Sequence, residues 1–132
     1  MRISSTRINM DDKVLQMPVL KDYGETLVTA NSSTAYTVDL TAGNVFKITM
    51  TGNCTFTFSN PPASGTAGSF PLILIQDGTG SRTATWPAAV KWGSATAPTL
   101  TTTATTGTDI LTFLTTDGGT TWYGFAAGIG MA

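Results

Sequence analysis

The chain has 132 residues, of which 41% are hydrophobic and only 11% charged, with a net charge of −1 and no histidine. That length fits one domain with a sizeable core, and so little charge excludes repulsion-driven disorder in the body. Near-neutrality gives no footprint for nucleic acid or an anionic membrane, and the missing histidine excludes Ser-His-Asp, Cys-His and His-containing zinc sites.

The charges are unevenly placed. Eight of the 15 fall in the first 25 residues, at Arg2, Arg7, Asp11, Asp12, Lys13, Lys21, Asp22 and Glu25. Residues 1–25 therefore read as a leader, and residues 26–132 as the folded domain. The leader has no clear period. Val14, Leu15, Met17, Val19 and Leu20 are too many apolar residues for a solvated tail, and Pro18 disfavours a helix through them. The expectation is an extended arm that lies on another surface. Those five residues serve as its partner-binding anchors, and Arg2, Arg7, Asp11, Asp12 and Lys13 make rim contacts. The competing expectation is an arm folded back as an edge strand of its own body.

From residue 26 the pattern is all β, with turn signals every ~8 to 12 residues, as in sandwiches and barrels. A first hairpin is expected at 26–30 and 35–40, around Asn31-Ser32-Ser33. Phe46, Ile48 and Met50 alternate with Lys47 and Thr49, which gives one buried face. Gly52-Asn53 has the form of a tight hairpin turn, and Cys54, Phe56 and Phe58 alternate on the returning strand. Cys54 is the single cysteine, so no intrachain disulfide forms, and a buried thiol is expected. Asn60-Pro61-Pro62 stops that strand.

Residues 69–76 are apolar on both faces and should lie centrally in a sheet or under another chain; Pro71 places the first of them at an edge. Shorter strands are expected at 82–86, 89–92 and 98–102. A last hairpin at 109–115 and 121–126 turns at Asp117-Gly118-Gly119, with Trp122 or Phe125 in the core. Nine or ten strands result, and no segment has the period of a long helix. No apolar run approaches the ~18 residues of a membrane span. The N-terminus lacks a signal-peptide pattern, so the chain is expected to be made in a cytoplasm and left unprocessed.

Chemistry finds little to build on. The body's acids are Asp39, Asp77, Asp109 and Asp117, and Asp77 and Asp117 precede Gly-containing turns, where Asp caps its own backbone. Asp77-Gly78-Thr79-Gly80 lacks the acids of an EF-hand loop and the lysine of a P-loop. No catalytic, metal or cofactor site is expected, and the chain reads as a non-enzyme. Trp86, Trp92, Trp122 and Tyr123 suit either core packing or a platform for sugar rings.

Two stretches carry a resemblance. "GNVFKITMTGNCTFTFSNPPASGTAGSFPLILIQDGTGSRTATWPAAVKW" (43–92) and "DILTFLTTDGGTTWYGFAAG" (109–128) resemble a β-domain common in the virion proteins of tailed bacteriophages, and "MPVLKDYGET" (17–26) resembles the approach to it. The specific combination is a Thr-Trp-Pro strand end, a Val-Lys-Trp strand and a terminal Asp-Gly-Gly-Thr-Thr-Trp-Tyr-Gly hairpin. The resemblance implies a structural virion protein made in the host cytoplasm, and it carries over no catalytic residues. Fibre proteins usually append such a domain to a shaft. A free-standing domain with a sticky arm better suits a capsid decoration (cement) protein. The expectation is therefore an antiparallel β-sandwich of jelly-roll type with an extended N-terminal arm. It self-associates, as a homotrimer, and binds the major capsid protein or tail proteins, with no nucleic acid or membrane partner. The alternatives are a tail or tail-fibre component or adaptor, and a glycan-binding adhesion module.

Overall fold

The computed structural model of the chain describes residues 2–3 by backbone alone, together with residues 6, 8–11 and 13–132. Within them the strands are β1 (Arg2–Ile3), β2 (Ile8–Asn9), β3 (Leu27–Asn31), β4 (Ala35–Asp39), β5 (Val45–Met50), β6 (Cys54–Ser59), β7 (Gly68–Gln76), β8 (Ala84–Thr85), β9 (Val90–Trp92), β10 (Thr108–Thr115) and β11 (Trp122–Gly128). The only helical element among them is a short 3-10 turn, Gly93–Ala95. The fold is all-β, with mixed sheets.

The chain changes sheet at each early turn. A six-stranded sheet has the order β3-β5-β7-β10-β11-β9, and a three-stranded sheet the order β4-β6-β8. Successive windings stack as rungs: Leu27 lies opposite Val45 and Phe46 opposite Leu72 in the large sheet, while Ala35 lies opposite Thr55 and Cys54 opposite Ala84 in the small one. All four of these pairings are parallel. The tight turns expected at Asn31-Ser32-Ser33 and Gly52-Asn53 are therefore corners between sheets and close no hairpin, and antiparallel jelly-roll pairing does not describe these rungs.

The reason lies in where the apolar rows must go. A hairpin would put Phe46/Ile48/Met50 and Cys54/Phe56/Phe58 on one face of one sheet, which would need a separate covering layer. A corner brings both rows into a single core, and all of them but the half-buried Phe58 are buried. The corner's polar groups bond to the next rung. The Ser32 N–H donates to the Thr49 carbonyl (2.8 Å), the Thr55 N–H to the Thr34 carbonyl (3.0 Å) and the Cys54 N–H to the Thr83 carbonyl (2.9 Å). The Thr51 N–H donates to Ser32 Oγ (3.2 Å). Gly52 suits a close approach, since a Cβ there would sit a tight 3.1 Å from the Ser33 carbonyl oxygen.

The last hairpin forms as expected. β10 pairs antiparallel with β7 and β11, and β11 takes β9 alongside it in parallel. β7 is third in its sheet, which is the central position its two apolar faces call for. Its ladder with β5 begins at Leu72, one residue after Pro71, which has no N–H to give. On the other side Pro71 stands opposite Thr112 of β10, so it is not at the sheet edge expected of it. Residues 98–102 form no strand. Thr101 donates its N–H to Asp109 Oδ2 (2.7 Å), and the Thr102 carbonyl accepts from Ser81 (2.9 Å), so their backbone groups go to a side chain and a loop.

Aromatic rings join the sheets. Phe58 on β6 meets Phe70 on β7 (centroids 5.1 Å apart), Phe113 on β10 (4.8 Å) and Trp122 on β11 (5.3 Å). Phe56 stacks on Trp86 at 5.2 Å. Of the two candidates in the last hairpin, Trp122 enters the core and Phe125 stays 55% exposed. Phe113→Ala and Trp122→Ala should each cost about 3 to 5 kcal/mol, measured by urea unfolding. Phe125→Ala should leave the unfolding midpoint within the error of the wild-type value.

Candidate interaction surface

Alternation sets the two faces of the six-stranded sheet. Its inner face holds Phe46, Leu72, Phe113 and Trp122. Its outer face carries Leu27, Val45, Pro71, Ile73, Ile75, Ile110, Leu114, Tyr123 and Phe125, none of them fully buried. Register places these side by side. Lys47, Ile73 and Ile110 form one row, and Pro71, Thr112 and Phe125 another. The only charges on this face are Lys47 and Lys91. Sequence reasoning marked β7 as needing cover but did not find the face, because its Thr and Lys positions read as ordinary solvated ones.

The body's carboxylates are all engaged in holding loops. Asp77 pairs with Arg82, Oδ2 to Nη2 at 2.8 Å, while its Oδ1 accepts the N–H groups of Thr79 and Gly80 (both 3.0 Å). The Arg82 guanidinium, helped by those backbone donors, draws the Asp77 carboxyl down to about 2. Buried Gln76 fixes the same loop from below: its Nε2 donates to the Arg82 carbonyl (3.0 Å) and its Oε1 accepts the Arg82 N–H (2.8 Å). Asp117 Oδ1 accepts from the Thr121 N–H (2.9 Å) and Thr115 Oγ1 (3.0 Å), and its carboxyl titrates below the usual range, chiefly through the Thr121 N–H. Asp39 is lowered by the Asn60 amide and by Thr41. Asp109, fully buried, accepts from Thr101 N–H, Thr101 Oγ1 and the Gly130 N–H, so it ties the C-terminal tail to the body. Among the described residues, no three His, Cys, Asp or Glu side chains gather as metal ligands would, and no helix is long and apolar enough to cross a membrane. Cys54 is buried as expected, and burial raises its thiol pKa.

Against this geometry, residues 29–121 match the family model described as "Putative phage tail fibre C-terminal domain". The chain belongs to this family. No curated protein and no solved structure matches it. The tail-fibre family match runs from within β3 to the residue before β11, so it spans the stacked rungs and β10, while the arm anchors lie outside it.

The five residues expected to bind a partner are open to solvent. Val14 is 85% exposed, Leu15 55%, Met17 89%, Val19 96% and Leu20 61%. None of the five joins the core or packs against it. Of the expected rim residues, Asp11 and Lys13 are exposed, while Arg7, Asp12 and the Arg2 side chain lie outside the described residues. The arm's root, 23–26, borders a recess with Asn44, Ser69 and Pro71, at one margin of the outer sheet face. The aromatics divide. Trp122 is core, Trp86 is half-buried against Phe56 and Phe113, and Trp92 covers Gly124, where a Cβ would come within 2.7 Å of the indole. Only Tyr123 is well exposed, so the four do not form one platform.

Because the folded-state pKa of Asp77 is depressed, its ion pair contributes stability above the ordinary carboxylate pKa of ~3.9. That contribution should fade as the pH falls towards about 2. Melting temperatures followed over this window should fall with acidification, and Asp77→Asn should make the fall shallower. Equal slopes in the two proteins would mean that the pair contributes nothing.

Proposed function

We propose that this chain acts as a non-catalytic structural component of a phage tail fibre, in which a two-layer β-sandwich self-associates as a homotrimer and the extended N-terminal arm makes contacts with neighbouring copies or tail proteins. The observation that carries the reading is the family match over residues 29–121. It favours the tail over the capsid decoration role expected from a short chain with an arm. A non-catalytic role fits the engagement of every body carboxylate in fixing a loop. Self-association fits an outer sheet face that is apolar and short of charge, as interface cores are.

Antibody-gold labelling of intact virions tests the location. Label confined to the tail or its fibres is expected. Label spread over the head in many copies would return the assignment to capsid decoration. Sedimentation of the purified chain at tens of micromolar tests the assembly, with an oligomer expected and a folded monomer counting against it.

A glycan-binding role is the second reading. It draws on a recess of about 270 Å³ lined by Trp92, Thr96, Pro98 and Phe125, where an aromatic wall and a hydroxyl lie together as sugar recognition requires. Saturable quenching of tryptophan fluorescence by host-surface glycans would support it, and quenching retained in Phe125→Ala would count against this recess as the site.

A further inference from the structure

The loop that follows β9 walls two recesses. The first, of about 270 Å³, is the one lined by Trp92, Thr96 and Phe125. The second, of about 190 Å³, is lined by Arg82, Ala84, Trp86 and Leu100. Pro98 lines both. Neither alone reaches the ~300 Å³ at which ligand pockets begin, and the pair does. Each has an aromatic wall, and the two walls touch: Trp86 and Trp92 stand edge to face with centroids 5.4 Å apart. The core holds both rings in place. Trp86 stacks on Phe56 (5.2 Å), and Trp92 meets Phe113 (5.6 Å) and covers Gly124. A ligand therefore meets walls that need little further ordering.

Polar groups border the second recess. Ser81 and Thr83 line it. Asp77 holds Arg82 through Nε and Nη2, and among the described residues nothing bonds to Arg82 Nη1. That spare N–H can donate to a sugar hydroxyl. The backbone is strained at the same place. Ser94 (φ 54°) and Ala95 (φ 55°) precede Thr96 of the first recess, and Ser81 (φ 56°) stands in the wall of the second. Left-handed residues other than glycine gather at ligand clamps. The Ser81 N–H donates to the Thr102 carbonyl (2.9 Å), which ties two sides of the second recess together. We infer that the two recesses are neighbouring subsites for one oligosaccharide. One sugar ring lies against Trp92 and Phe125, the next lies against Trp86 and Arg82, and the linkage passes over Pro98. This rests on the glycan-binding reading and adds to it the size of the ligand, at least two linked rings.

Chain-length dependence of binding tests this. The full-length protein is screened on an array of hexoses and N-acetylhexosamines, each printed as monosaccharide, disaccharide and tetrasaccharide. The best series is then titrated by calorimetry. The disaccharide should bind about tenfold or more tighter than the monosaccharide, because the second ring is delivered by the first. Ala97→Trp and Thr99→Trp each fill the second recess from an exposed position on its wall, and thermal melting checks that they are folded. Both should bring the disaccharide down to about the affinity of the monosaccharide. Phe125→Ala, in the first recess, should weaken every length. Two results would overturn the inference and leave a one-recess glycan site standing: equal affinity for monosaccharide and disaccharide, or a length dependence that survives in either folded tryptophan variant. No binding to any printed sugar at millimolar concentration defeats the glycan reading itself, and this inference with it.

Discussion

A chain that crosses from one sheet to the other at three-residue corners cannot satisfy its strands with their immediate neighbours in sequence. β3 and β4 lie in different sheets, as do β5 and β6, so each backbone ladder reaches to the next winding. Everything else in the body depends on the corners keeping that spacing. Residues 32–34 sit against residues 49–55, and residue 83 against residues 53 and 54. A buried serine at position 32 and a glycine at position 52 are parts of one mechanism. Ser32 Oγ takes up a backbone donor of the next corner, and the missing Cβ of Gly52 lets the two corners approach. Because each corner bonds to the winding beside it, damage to one is felt in two rungs.

The low charge of the body follows from the same winding. A core shared by two sheets leaves the middle of the inner faces to aromatic and aliphatic side chains, with buried Gln76, Asp109 and Thr115 at the strand ends. Phe58 reaches across to three strands of the opposite sheet, which fixes the sheets relative to each other through ring contacts. Acids then appear where the chain must turn or be tied down. Asp77 and Asp117 organise their own loops, Asp39 holds Thr41 and Asn60, and Asp109 anchors residues 101 and 130. Each carboxylate gathers two or more donors.

Much of this was legible in the sequence, and what was not has a definite cause. Alternation at 46/48/50 and 54/56/58 tells which residues turn inward, and all but the half-buried Phe58 are buried. It does not tell which strand lies alongside, because a period of two specifies a face and says nothing of the partner. Gly52-Asn53 therefore read as a hairpin turn. The corrective signal was the equal length of the 32–34 and 51–53 connections, each between strands of similar pattern, which marks a repeated winding. Asp77 and Asp117 were readable from the glycines after them. Asp109 was not, since its partners at 101 and 130 are brought to it only by the fold. The outer sheet face was hidden among threonines that are β-formers before they are polar.

The two ends of the stack differ. At one end the antiparallel hairpin β10–β11 continues the large sheet beyond β7 and supplies Phe113 and Trp122 to the core. At the other, β3 is an edge strand, Leu-Val-Thr-Ala-Asn, with none of the lysine or proline that commonly blocks strand addition. The arm leaves from just this place, since Thr26 precedes β3 and is bonded to Asn44 and Val45 at the neighbouring corner. A charged segment with a proline at position 18, attached beside an unguarded edge, disfavours indiscriminate strand pairing there.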